Sequence, residues 1–341
     1  MSGVTASPRA LKDPAGSAVA RLEVIHHPIV RVVARRLAMA IPLLFIVSAS
    51  SFVLVSLTPG DAAQSILGLN APQDAVVRLR HALGLDNPIY VQYWDWLKHA
   101  LHGDFGTSVV TGETVTHAID ARLPPTLALI VGAFLLGSTI GVGLGVLSAL
   151  RGGALGRAVD AFALAGFALP AFWLGAILIA VFAVKLRWFP ATGYVAFADS
   201  PSGWLNSLVL PVVALSVGAI AAIAKQTRAS MLEVLSSEHI RMAWANGLSP
   251  RSIVFRHALK NAALPVIAVV GVQAVWLLGG TVVIESVFAL PGLGSLLVSS
   301  SIQHDLPVVE GIAIYFTVII VLISLLTDLA YSWLNPRVRA Q

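Results

Sequence analysis

Cysteine is absent from this chain of 341 residues, which excludes a disulfide framework and thiolate metal sites and leaves the redox compartment unread. Charge is scarce: 11% of residues are Asp, Glu, Lys or Arg, against roughly a quarter in soluble domains. That shortage rules out an ordinary water-soluble domain. Also missing are a GxxxxGK[ST] phosphate loop, an HExxH pair and a GxSxG elbow. The chain therefore does not bind ATP in the usual way by itself, and no catalytic residue, resident cofactor or metal site is expected in it. No repeat of fixed period and no low-complexity tract interrupts the sequence, and no early apolar core marks a cleaved signal peptide.

What is present is apolar: 57% of residues are hydrophobic and the mean hydropathy is +0.84. An all-α polytopic membrane protein is the class that fits, because a helix satisfies its own backbone in lipid. Uncharged intervals approaching or exceeding the ~20 residues needed to cross the hydrocarbon core mark the spans. Five are clear, at Leu37–Gly60, Leu123–Leu150, Ala161–Val184, Ser200–Ala224 and Asn261–Ile284, and a sixth runs from Gly311 through Thr327 to Leu334. The uncharged Ser286–His304 interval holds Pro291, Gly292, Gly294 and a serine run, which argue for an interfacial or re-entrant piece.

The balance is basic, with pI ≈ 9.8, yet the cations flank apolar spans and form no aromatic-studded patch, so membrane topology explains them and nucleic acid does not. With a cytoplasmic N-terminus, 16 of the 22 Lys and Arg residues fall on the cytoplasmic side, and both termini lie there. Residues 1–36 then form a cytoplasmic tail, 37–60 the first span, 61–122 an external segment with room for a small folded cap, 123–335 a five-helix body, and 336–341 a C-terminal tail.

One connector is far longer than neighbouring membrane helices need. Ala229 to Ala263 reads as helix, tight turn, helix: Gly247 suits the left-handed residue that closes the first helix, and Ser249-Pro250 supplies an N-cap with proline in the first turn of the second. Leu232, Leu235, Ile240, Ala243 and Trp244 give the first helix its apolar positions, while Arg241, Arg251, Arg256 and Lys260 keep the segment cationic, as suits a solvated surface against a partner protein.

Other features read as structural. Gly137, Gly141 and Gly145 recur every fourth residue and allow close helix packing. Pro170 either kinks the third span or is merely tolerated. Asp104-Phe105-Gly106 spells the kinase magnesium triplet without any partner motif and reads as a turn. His26-His27 lacks the spacing of a metal site, and His239 and His257 solvate the long connector. Lys225, Glu285 and Asp328 fall near span ends, where snorkelling accounts for them; Gln273 is the polar residue left in mid-span.

An apolar body without energy-coupling residues, joined to a protruding helix pair, draws its energy from another subunit. Over nearly its whole length the chain resembles the inner-membrane permeases of dipeptide and oligopeptide ABC importers, in particular the first of their two permease subunits. The resemblance is carried by IPLLFIVS and LTPGD within Ile41–Asp61, LGLDNPIYVQYWDWL at Leu83–Leu97, GDFGTS at Gly103–Ser108 and LPAFWLG at Leu169–Gly175. HALKNAALPV at His257–Val266, LLGGTVVIESVFALPGLG at Leu277–Gly294 and NPRVR at Asn335–Arg339 complete the ordered set.

The resemblance implies a type I ABC importer transmembrane domain of six helices with an external segment after the first. It implies that the 229–263 connector, the family's EAA loop, docks into a groove of an ATPase subunit through Arg241, Ala243, Trp244, Asn246, Gly247, Leu248 and Ser249. The family's leading glutamate position is occupied here by Arg241. Implied partners are a second homologous permease, two ATPase subunits that hold ATP and magnesium, an extracytoplasmic binding protein, a peptide substrate and the lipid of the cytoplasmic membrane. Nickel chelates, glutathione and opines are the alternative cargoes, and the residues that bind cargo are not identified. A secondary transporter would require intramembrane acids or paired broken helices, an intramembrane enzyme a nucleophile or metal set; the sequence shows neither clearly. A purely structural membrane protein has no need of the basic connector.

Overall fold

A computed structural model describes residues 28–57, 62–68 and 71–334. The His26-His27 pair, residues 58–61 of the LTPGD run and the NPRVR segment lie outside these described residues. Helix α1 (Pro28–Leu57) is followed by three short helices, α2 (Ala62–Leu67), α3 (Gln73–Ala82) and α4 (Ile89–Ala100), which form a cap. Then come α5 (Val115–Arg151), α6 (Gly153–Ala168), α7 (Ala171–Lys185), α8 (Pro201–Leu235), α9 (Glu238–Ala245), α10 (Pro250–Val287), α11 (Leu293–Ile302) and α12 (Leu306–Leu334). Helices α1, α5, α8, α10 and α12 are each long and apolar enough to cross a membrane, and α6 with α7 makes a sixth span bent by 101°.

The bend has a local cause. Leu169 precedes proline and is extended (φ −88°, ψ 118°), as the clash with the Pro170 ring requires, and Pro170 then starts α7. The interval expected as one span over Ala161–Val184 is therefore two helices. Helix α1 begins at Pro28, ahead of the uncharged interval, because charge ends a membrane span without ending a helix; Arg31, Arg35 and Arg36 continue its turns.

Helix α8 is the axis of the bundle. In its most apolar window 72% of residues are buried, against 17–33% in the other four long helices, although their hydropathies are alike. Small residues explain the difference: Ala214, Ser216, Ala219, Ala221, Ala222 and Ala224 are buried and let neighbours approach on every side. The closest neighbour is α5. A Cβ on Gly137 would meet Ala219 at 3.1 Å, one on Gly141 would meet Ile223 at 2.8 Å, and one on Gly145 would meet Thr227 at 2.5 Å. The glycine stripe thus steps along α8 four residues at a time, and α5 and α8 run parallel.

Two further clusters close the ends of the bundle. At the cap end Val115, Ile119, Leu293, Val308 and Ile312 pack together; at the other end Ala149, Met231, Ile240, Ile253, Val254, Ala258 and Ala262 do. The first joins α5, α11 and α12, the second joins the 229–263 connector to α5, α8 and α10.

Polar groups inside the bundle depart from the sequence reading. Asp328 is held by both Nε and Nη2 of Arg36, the latter at 2.9 Å, so it is a paired anchor between α12 and α1. Glu285 does not snorkel: it is 0% exposed. Its carboxylate accepts Thr126 Oγ1–H at 2.6 Å and Ser295 N–H at 3.0 Å, and Gly294 N–H as well. Glu310, one residue outside the expected sixth span, is also 0% exposed and sits inside α12, facing Ser51 of α1. Gln273 is half-buried. Asp104 behaves as a turn residue, its Oδ1 accepting Gly106 N–H at 2.9 Å where Gly106 has φ +87°.

Candidate coupling site

Helix α9 and the turn after it form the protruding site. Glu238 sits in the first turn, where a carboxylate suits the helix dipole, and Ile240, 0% exposed, plants the helix on the bundle. The C-terminus closes in a full Schellman motif. Leu248 N–H donates to Ala243 C=O at 3.2 Å, Gly247 N–H donates to Trp244 C=O at 3.0 Å, and Gly247 lies in the left-handed region at φ +75°. Leu248 and Ala243 pack against the same apolar cluster, the hydrophobic contact that accompanies this motif.

The next helix starts at once. Ser249 accepts Ser252 N–H at its side chain (3.4 Å), and Pro250 takes the first helical position, where its missing N–H costs nothing. Residues 253–258 are wound as a π-helix before α10 continues, and His257 Nδ1 lies 3.1 Å from Ser252 C=O. His239 contacts Ser237 Oγ at 2.9 Å. The connector is therefore a rigid corner between α8 and α10.

Two large apolar side chains stand exposed among polar ones on α9. Trp244 is 51% exposed and Met242 66%, flanked by exposed Arg241, Asn246, Gly247 and Ser249, while Ala243 and Leu248 are half-buried. A large aromatic and a methionine held out on a fixed helix, rimmed by polar residues, have the composition of a docking anchor. Arg241 is exposed beside them and presents a cation.

Among the described residues no group of three or more His, Asp or Glu side chains is placed to hold a metal ion. The connector, its cap and the turn were legible from glycine and Ser-Pro spacing. Met242, the residue after Arg241, is a further exposed apolar side chain of this helix, and standing two residues from Trp244 it projects in a different direction. The buried carboxylates of Glu285 and Glu310 were missed because hydropathy windows place an acid relative to a span and say nothing of what surrounds it.

Comparison with known proteins places this architecture. Residues 141–340 match the family model described as "Binding-protein-dependent transport system inner membrane component", and residues 29–130 match that of its N-terminal region. The chain is 42% identical over 306 residues to a probable peptide ABC transporter permease protein of Sinorhizobium fredii, covering 89% of this chain and 98% of the relative. It is 43% identical over the same length to a putative peptide transport system permease protein of Brucella abortus, with the same shares covered. With the glutathione transport system permease protein of Escherichia coli K12 it shares 39% identity over 308 residues, 90% of this chain and 98% of that one. A chain of the inward-facing MetNI methionine ABC transporter superposes with a TM-score of 0.54 at 22% identity, over 64% of this chain and 97% of that chain, which establishes the fold alone. A helical bundle with a cap after its first span, an exposed connector and relatives of this kind leave one assignment: the chain belongs to the binding-protein-dependent transport system inner membrane component family, as a multi-pass permease subunit of an ABC importer.

Proposed function

We propose that this permease carries small peptides into the cell, with both termini in the cytoplasm, the cap on the external side, and α9 seated in a groove of an ATPase subunit. The observation that carries the reading is the outward display of Trp244 and Met242 on a helix locked by Ile240 below and by the Gly247 turn beyond it. Exposed side chains of this kind suit a surface that a partner covers. A second homologous permease completes the pathway, two ATPases bind ATP and magnesium, and an extracytoplasmic binding protein delivers cargo to the cap. Closure of the ATPases moves α9, and because α9, α8 and α10 share one apolar cluster, the movement reaches the bundle and biases it between outward and inward packings.

Peptides are the cargo class named for the relatives, glutathione among them, and the sparing use of charge in the bundle suits a weakly selective passage. Nickel chelates and opines are the alternative cargoes. On the side of ion coupling stand Glu310 and Glu285, two carboxylates enclosed within spanning helices, and the break between α6 and α7. Proteoliposomes holding this chain with its cognate subunits separate the readings: uptake of trialanine and glutathione that needs ATP and the binding protein supports the importer, and uptake driven by a proton or sodium gradient without ATP overturns it.

A further inference from the structure

Helix α11 is too short to span a membrane, yet both of its ends are fixed by buried acids. At its N-terminus the donors are met by side chains of two other helices: Leu293 N–H donates to Thr126 Oγ1 of α5 at 2.8 Å, and Ser295 N–H donates to Glu285 Oε2 of α10 at 3.0 Å. Thr126 donates its own proton to Glu285 Oε1 at 2.6 Å, so α5, α10 and α11 meet at one carboxylate. The fit demands glycine. A Cβ on Gly292 would fall on the Glu285 carboxyl group, and one on Gly294 would lie 2.9 Å from Oε2. The main chain of Glu285 takes part as well, its C=O accepting Leu290 N–H at 2.9 Å as α10 closes with Ala289 at φ +50°.

The other end is built the same way. His304, at φ +57°, closes α11, with Asp305 N–H donating to Ser300 C=O at 2.9 Å. Asp305 is 3% exposed, and its carboxylate accepts Ser108 Oγ–H and, at 3.2 Å, Val109 N–H. Ser108 and Val109 lie in the cap loop closed by the Thr107–Thr114 bridge, directly before α5. A cavity of about 290 Å³ is lined by Gln92 and Trp96 of the cap, by Val109, and by His304 and Pro307 at the start of α12. The Asp305 bonds are a tight link across that region.

We propose that α11 is a strut that hands the position of the cap to the outer ends of α5 and α10, with Asp305 and Glu285 as the positioning residues at its two ends. The physical basis is cooperative. Charge-assisted bonds in a dry setting are strong and directional, and losing one leaves a buried charge partly uncompensated, so each junction moves as a unit. The inference rests on the importer reading, in which the cap faces the binding protein; docking there is then felt at the α5 and α10 ends through α11.

The test uses the reconstituted complex of this chain with its cognate permease and ATPases. ATP hydrolysis is measured with and without the cognate binding protein, loaded with trialanine or glutathione. Glu285→Gln and Asp305→Asn are each expected to cut the stimulation by binding protein roughly tenfold while basal hydrolysis persists. The double variant is expected to be no worse than the weaker single one, since both lie on one line of transmission. Ser108→Ala and Thr126→Val, which remove the hydroxyl that donates to each acid and keep both carboxylates, give the same pattern in smaller degree and keep the test open if a carboxamide variant fails to accumulate. Full stimulation in the singles, losses that multiply in the double, or basal hydrolysis falling in step would overturn the strut. A wild-type complex indifferent to the binding protein would overturn the importer reading, and the strut with it, in the control before any variant is read.

Discussion

Arg36 of α1 grips both carboxylate oxygens of Asp328 in α12, and this ion pair joins the first described helix to the last. The partners are about one-third exposed (37% and 34%), so solvent screens them, but the two-point guanidinium geometry retains part of the attraction. A double-mutant cycle of Arg36→Ala and Asp328→Ala in thermal unfolding of the purified protein is expected to give a coupling of about 1 kcal/mol. Additive effects would show that α1 is held by its apolar contacts alone.

Gly247 tests the corner. At φ +75° a β-branched side chain is strained whatever the space around it, while asparagine tolerates the left-handed region. Gly247→Val is expected to insert in the membrane at normal levels and to abolish ATP-driven uptake, with Gly247→Asn retaining most of it. Equal uptake by the valine and asparagine variants would remove the turn from the coupling mechanism.

The α5 stripe makes a prediction with an internal control. Gly141→Ala and Gly145→Ala each push a methyl group into α8 and are expected to cost about 1–3 kcal/mol, read as lower thermal stability in detergent. Gly143, on the same helix, faces open space: an added methyl group there has nothing within 4 Å, and Gly143→Ala is expected to be neutral or slightly stabilising. Equal effects at all three positions would mean helix propensity, rather than packing, governs α5.

Much of this molecule is visible in its sequence, and each exception has a physical cause. Uncharged intervals locate the spans because lipid selects them, and Gly247 with Ser249-Pro250 marks the connector because turn chemistry is local. The central place of α8 is hidden, since hydropathy measures transfer to an apolar medium and lipid and protein interior are equally apolar; only the density of Ala214, Ala219, Ala221, Ala222 and Ala224 hints at it. The break at Leu169–Pro170 is legible as a risk and not as an outcome, because a proline in a span is kept or rejected by the neighbours that satisfy its freed carbonyls. Glu285 and Asp305 are out of reach for another reason: their donors, Thr126 and Ser108, are distant in the chain, and a long-range hydrogen bond leaves no period to read.

Glu310 separates two transport chemistries. Its carboxylate is enclosed in α12, where the hydroxyl of Ser51 on α1 faces it without a well-formed hydrogen bond. An ATP-driven importer needs no ionisable group at this position, so Glu310→Gln is expected to keep ATP-driven uptake within about twofold, a change worth well under 1.4 kcal/mol. Loss of uptake in a variant that still hydrolyses ATP in response to binding protein would give this acid a transport role.

The docking of α9 is the centre of the mechanism, and affinity between the purified ATPase subunit and the permease in nanodiscs measures it most directly. Trp244→Ala and Met242→Ala are expected to weaken that affinity by about 1–2 kcal/mol each, roughly five- to thirtyfold, with a smaller effect on the protein's thermal stability because both side chains are largely exposed. Unaltered affinity in the Trp244→Ala, Met242→Ala double variant would contradict the assignment of this helix as the site where ATP hydrolysis is coupled to transport.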